Sequence, residues 1–190
     1  MFILLSTLLT APAMVPGALP ADTGRTKNGV TMPETIEVEG HSLSLNGMAL
    51  RKKVVFKVYV AGLYLATPSH ASDAILAADE PRRMVMHFVR TVDKNKICEG
   101  WDEGLEKNTP GASEALKAQF TELCGMMVDI KDGQEFVFTY VPGSGTTVES
   151  AGEMKGTIPG KEFADAILGC WIGPKPGPGD GFKKDLLGQS

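Results

Sequence analysis

Apolar and polar residues alternate over much of the chain, and the alternation gives way to a helical period in a few stretches. In TIEVEGHSLSLNGMAL (35–50), Ile36 and Val38, then Leu43 and Leu45, occupy every second position, with Gly40-His41 as a turn between them. A period of two is the mark of a half-buried strand. VVFKVYVAGLYLA (54–66) is apolar on both faces, which predicts a central strand covered on two sides. In simple alternation Lys57 and Tyr59 share one face of it with Val55, Ala61 and Leu63, and the basic cluster Arg51-Lys52-Lys53 precedes it. HASDAILAADE predicts a short helix capped by Ser72 or Asp73. RRMVMHFVRTV returns to period two, with Met84, Met86 and Phe88 set against Val85, His87 and Val89.

The period then lengthens. Ile97, Trp101 and Leu105 recur at i, i+4 and i+8, one apolar stripe of a helix that Asp93 is placed to cap. TPGA interrupts it, and SEALKAQFTELCGMM predicts a second helix capped by Ser113, with Leu116, Phe120 and Leu123 inward and Gly125 near its end. Alternation resumes after Asp132-Gly133, and PGSG turns the chain between two further strands. GKEFADAILGCWIG predicts a last helix from about Lys161, followed by a mostly extended tail in which Leu186 and Leu187 dock a final turn. Strands, two helices, strands and a helix, in that order, make an α+β domain with a mainly antiparallel sheet and helices on one side.

The N-terminus departs from this pattern. Phe2 to Leu9 is apolar and Ala11-Pro-Ala13 follows, which reads as the hydrophobic region and cleavage site of a signal peptide over residues 1–13, without a positive leading region. Residues 14–32, rich in Pro, Gly and small side chains, read as linker, so the folded domain is expected over 33–190. Export predicts an oxidising, periplasmic setting, in which Cys98 and Cys124, on consecutive helices, could bridge while Cys170 is left over.

Composition excludes some functions. A formal net charge of −4 carries no electrostatic footprint for nucleic acid. No stretch reaches the apolar length of a membrane span. His41, His70 and His87 are scattered and no C-x-x-C pair occurs, so neither a metal nor another cofactor is expected. The PGSG stretch lacks the Lys-Ser/Thr and the helix of a phosphate loop.

The segment 45–66 carries a resemblance. Asn46-Gly47 as a turn, Leu50, Arg51 with its basic neighbours, and FKVYVAGLYL from Phe56 to Leu65 resemble the first motif of the chalcone isomerase-like family, its bacterial exported branch in particular. MHFVRTVDKNKICEGWDEGLEKN, IPGKEFADAILGCWIG and FKKDLLG are similar to later stretches of that family, so the likeness spans residues 34–188. It implies an open-faced β-sandwich: a curved antiparallel sheet packed against a layer of helices, with a ligand cleft between. The plant isomerases of this fold cyclise a chalcone in that cleft, and their fatty-acid-binding relatives hold an acyl chain there. In both, an arginine of the first motif meets the ligand, with a threonine or a tyrosine as its partner. On this chain those positions are Arg51 and Tyr59.

The chemistry suits a carboxylate. A guanidinium fork matches its two oxygens, a phenol can donate to one of them, and an apolar cleft would bury the chain behind it. The pair can share a ligand only if the backbone reverses between them, since eight residues of one strand span about 26 Å, and KKVVF holds no turn residues. The isomerases' reaction-centre tyrosine has no counterpart in TVDKNKICEGWDEGLEKN, which offers Lys96 and Asn108 only as types. A late-helix Ser or Thr becomes Cys170, beside Trp171, and no base stands out to make Cys170 a nucleophile.

The expected ligand-binding set is therefore Arg51 and Tyr59, with Lys57, Cys170 and Trp171 nearby. The expected function is non-catalytic binding of a small amphipathic carboxylate such as a fatty acid. Two alternatives stand beside it. One is an isomerase or intramolecular lyase acting on a phenolic or enone substrate, with Arg51 stabilising an oxyanion. The other is a structural or partner-binding periplasmic protein whose cleft is filled by its own side chains.

Overall fold

A computed structural model describes residues 23–190. The signal-peptide reading of residues 1–13 lies outside the described residues, as does the first part of the expected linker. The rest of that linker is not one. Strands β1 (Gly24–Lys27) and β2 (Val30–Pro33) pair as a tight hairpin. Asn28 and Gly29 both take positive φ, 51° and 81°, as a two-residue hairpin turn demands.

The main sheet has seven antiparallel strands in sequence order: β3 (Thr35–Val38), β4 (His41–Lys53), β5 (Phe56–Leu65), β6 (Arg82–Phe88), β7 (Glu135–Val141), β8 (Gly145–Ser150) and β9 (Glu153–Ile158). Helix α1 (Ser72–Ala77) lies between β5 and β6. Helices α2 (Lys94–Asn108) and α3 (Glu114–Met126) lie between β6 and β7, and α4 (Lys161–Ile172) and α5 (Asp180–Leu186) close the chain. This curled sheet with its helices is the expected α+β open-faced sandwich. The tail is more helical than its Pro- and Gly-rich composition predicts, because α5 begins only after Gly179.

Both faces of the sheet are covered. Ala61, Leu63, Met84, Met86, Phe136 and Phe138 belong to the larger core, which the helices close with Trp101, Leu105, Phe163, Ile167 and Trp171. Leu45, Val60 and Tyr64 belong to a smaller core under β1 and β2. Met32 seats over Gly62, where an added Cβ would stand 2.4 Å from its sulfur. Helices α2 and α3 start at their expected caps: Asp93 accepts from the Asn95 amide at 2.8 Å and Ser113 from the Leu116 amide at 3.1 Å. The cap expected for α1 at Ser72 or Asp73 does not form; both residues lie inside the helix, and Ala71 precedes it with no side-chain hydrogen bond. Cys98 and Cys124 form a disulfide between α2 and α3, and Cys170 is free and buried.

Asn46-Gly47 is not a turn. It lies inside β4 at a register shift between Leu45 and Gly47. The Asn46 side chain donates to the carbonyls of Ser69 and Leu186, both at 3.0 Å, and accepts from the Ser69 amide at 2.9 Å. A Cβ at Gly47 would meet the Asp185 and Leu186 carbonyl oxygens at 2.2 and 2.4 Å, so the bare backbone is what lets α5 dock.

Candidate ligand-binding site

The chain reverses at Val54-Val55. Lys53 faces Phe56, Lys52 faces Lys57, and Arg51 faces Tyr59 across β4 and β5. Arg51 and Tyr59 are thus direct cross-strand neighbours, whose Cβ atoms stand about 5 Å apart in such pairs. The eight-residue spacing closes because a two-residue loop turns the strand without glycine. Val54 takes φ +58° there, a conformation β-branched residues rarely adopt.

The same register moves Lys57. Between the Arg51–Tyr59 and Lys52–Lys57 pairs, β5 carries one extra residue, Val58, a bulge. Cross-strand partners share a face, so Lys57 lies with Lys52 on the face opposite Tyr59. The alternation that put Lys57 beside Tyr59 and Ala61 fails at this bulge. Lys57 is exposed, Arg51 is half-buried and Tyr59 is buried.

Tyr59 sits in an aromatic nest. Its ring meets Phe88 at 5.4 Å and the edge of Phe182, from α5, at 5.9 Å. Its hydroxyl oxygen accepts from the Trp171 indole at 3.1 Å. Burial pushes the phenol up to about 12, against the Trp171 hydrogen bond and the nearby Arg51 charge, both of which lower it. The phenol therefore stays protonated at neutral pH. With Trp171 using one acceptor site, its O–H has no acceptor among the described residues. Arg51 takes part in no ion pair among those residues either; its charge acts on Tyr59 and, at longer range, on Glu103. A cation and a hydroxyl donor thus stand side by side with no anion between them.

Cys170 lies close enough to Tyr59 to act on its titration. Burial pushes its own thiol up to about 12, and Sγ donates to the Ala166 carbonyl at 3.5 Å. A thiol held protonated is a packing group, not a nucleophile. Cys170 also sets the approach of α2 to α4: a Cβ at Gly104 would stand 2.5 Å from its sulfur. Trp171 touches Trp101 at 5.3 Å and Phe138 at 5.8 Å. The Trp101 indole N–H is buried without a partner among the described residues, a further donor beside this cluster.

Lys96 and Asn108 do not join the site. Lys96 is exposed on the first turn of α2. Asn108 donates to the Gly104 and Lys175 carbonyls and accepts from the Lys175 amide, pinning the loop after α4. Arg82, absent from the expected set, lies at the far end of the same sheet face. Its guanidinium is buried, donates to the Ile75 carbonyl at 3.1 Å, pairs with Asp165 at 2.5 Å and lies over the Tyr140 ring. Alternation would have found it, since Arg82 is in phase with Met84, Met86 and Phe88.

Between the two ends runs an apolar floor, Ala61 and Leu63 on β5 beside Met84 and Met86 on β6. The space above it is narrow. One void of about 20 Å³ lies between Leu63, Phe138, Thr146 and Trp171, and a wider cavity of about 210 Å³ opens beside Arg82, under α1. The first holds about one water, against the 300 Å³ or more of ordinary ligand pockets. A bound chain would have to displace aromatic side chains.

The comparisons agree with this architecture. A fatty-acid binding protein of Arabidopsis thaliana has the same fold, with a TM-score of 0.69 and 18% identity over 87% of this chain and 96% of that one. No curated protein matches the sequence. The chalcone isomerase-like family model matches residues 24–188, from the β1–β2 hairpin through α5, and the chain belongs to that family.

Proposed function

We propose that this protein binds a small amphipathic carboxylate, a fatty acid in the first instance, with its headgroup on Arg51 and Tyr59 and its chain along the floor of Ala61, Leu63, Met84 and Met86. One observation carries the reading: Arg51 and Tyr59 face each other across β4 and β5, and among the described residues neither the guanidinium nor the phenolic O–H has an anionic partner. A carboxylate would satisfy both. Methionines adapt in shape, which suits a floor that must accept a flexible chain. The fold shared with the plant fatty-acid binding protein supports the ligand class. The apolar N-terminal segment and the Cys98–Cys124 bridge support export to an oxidising compartment, the periplasm.

A second reading rests on the aromatic interior. Trp101, Phe138 and Trp171 occupy the space a ligand chain would take, as in a structural or partner-binding protein. Titration with a labelled long-chain fatty acid separates the two. Saturable binding that weakens roughly tenfold or more in Arg51→Ala, as loss of a hydrogen-bonded charge predicts, and is unchanged in Lys57→Ala, supports the carboxylate site. Equal affinity in wild type and Arg51→Ala rejects it.

A further inference from the structure

The β4–β5 loop is unusual as a turn. Val54, Val55 and Phe56 are 88%, 78% and 58% exposed, three of the four exposed large hydrophobic residues among those described. Hairpin loops of this length favour Asn-Gly or Gly at the position with positive φ. Here Val54 fills it at φ +58°, a conformation β-branched residues rarely adopt. Neither folding nor solubility asks for an apolar tip, so the residues there answer to something outside the fold.

Charge says what that is. The segment 51–57, RKKVVFK, holds four cations, three apolar residues and no anion. The Arg90 guanidinium lies over the Phe56 ring at 4.7 Å and adds a fifth. None of Arg51, Lys52, Lys53, Lys57 and Arg90 takes part in an ion pair among the described residues, and this cluster belongs to a chain of net charge −4. Apolar side chains ringed by unpaired cations match a surface with an apolar interior and an anionic skin.

We propose that the tip of the β4–β5 hairpin docks on anionic phospholipid membranes, with Val54, Val55 and Phe56 entering the interface and the surrounding lysines and arginines on the headgroups. Interfacial elements sink by roughly 5–10 Å. Arg51 lies two residues behind Lys53, about 7 Å along β4, with Tyr59 opposite it. A docked tip therefore sets that pair at headgroup depth. The proposal goes beyond the carboxylate-site reading and does not depend on it, because docking needs no bound fatty acid.

The test is co-sedimentation of the full chain, without added fatty acid, with vesicles of phosphatidylcholine alone or with a minority of phosphatidylglycerol. Residues 1–22 are common to every variant, so only differences made at the tip count. Wild type is expected to bind the phosphatidylglycerol vesicles preferentially and to release at high salt. Lys52→Gln/Lys53→Gln and, separately, Val55→Asp should each weaken binding at least about tenfold. The two variants disturb different properties of an exposed loop, so loss of fold in one leaves the other to decide. No preference for the anionic vesicles, or binding unchanged in a folded variant, overturns the proposal. Fatty-acid affinity in solution, measured on the same variants, stays at the wild-type value, so failure of docking and failure of the carboxylate site are read separately.

Discussion

Replacing Tyr59 by phenylalanine separates the two roles of its hydroxyl. Within the fold, the oxygen accepts from the buried Trp171 indole at 3.1 Å. Tyr59→Phe leaves that N–H without a partner, and an unsatisfied buried donor costs about 1–3 kcal/mol. The rings of Phe88 and Phe182 still have an aromatic surface to pack against, so no large cavity term is added. Toward a ligand, the same substitution removes the free O–H donor beside Arg51. A hydrogen bond to a charged group is worth about 1.5–3 kcal/mol, so affinity for a fatty acid should fall roughly tenfold to a hundredfold. Urea denaturation gives the first quantity and a binding isotherm, taken where the variant is fully folded, gives the second. Lower stability with affinity within about twofold of wild type would refute the donor role and leave Tyr59 as a packing residue.

Other outcomes follow from the same contacts. Burial raises both Tyr59 and Cys170 to about 12, so the folded state holds protons that the unfolded state releases first. Their contribution is full below about pH 9 and is lost as the pH rises through 9 to 12; Cys170→Ala should flatten the fall of stability across that window in pH-dependent urea melts. Asn46→Ala removes three buried or part-buried hydrogen bonds that tie β4 to Ser69 and Leu186; a loss of about 3 kcal/mol, with early hydrogen exchange of α5, is expected. Reducing the Cys98–Cys124 bridge, which joins residues 26 apart, frees the unfolded chain and should lower stability by about 3 kcal/mol in matched melts with and without a thiol reductant.

The strands were legible where one face is buried and the other is not. β6 is the clearest case, its side chains alternating buried and half-buried from Arg82 to Phe88 as its sequence alternates. The caps Asp93 and Ser113 were legible because a short polar side chain before an apolar stripe has few other uses. The β4–β5 turn was not legible, because turn chemistry is written in Gly, Asn and Pro and this turn is made of two valines. The Asn46-Gly47 dipeptide misled for the opposite reason: the residues suit a turn, but α5, distant in sequence, recruits the asparagine and needs the bare glycine. Asn28-Gly29 was a true turn inside a segment whose composition resembled linker. The bulge at Val58 has no local signature, and it alone takes Lys57 away from the Tyr59 face. Arg51 and Tyr59 could be nominated from the sequence; that they face each other depends on the turn and the bulge together.

Native mass spectrometry of the purified chain, with organic extraction and lipid analysis of the same sample, tests the central claim most directly. A protein that holds a carboxylate on Arg51 and Tyr59 should carry about one fatty acid per chain, or take one up when it is added back, and should lose it in Arg51→Ala. A bare mass that stays bare after fatty acids are added would contradict the claim and leave the aromatic interior as the packed core of a protein that works through a partner.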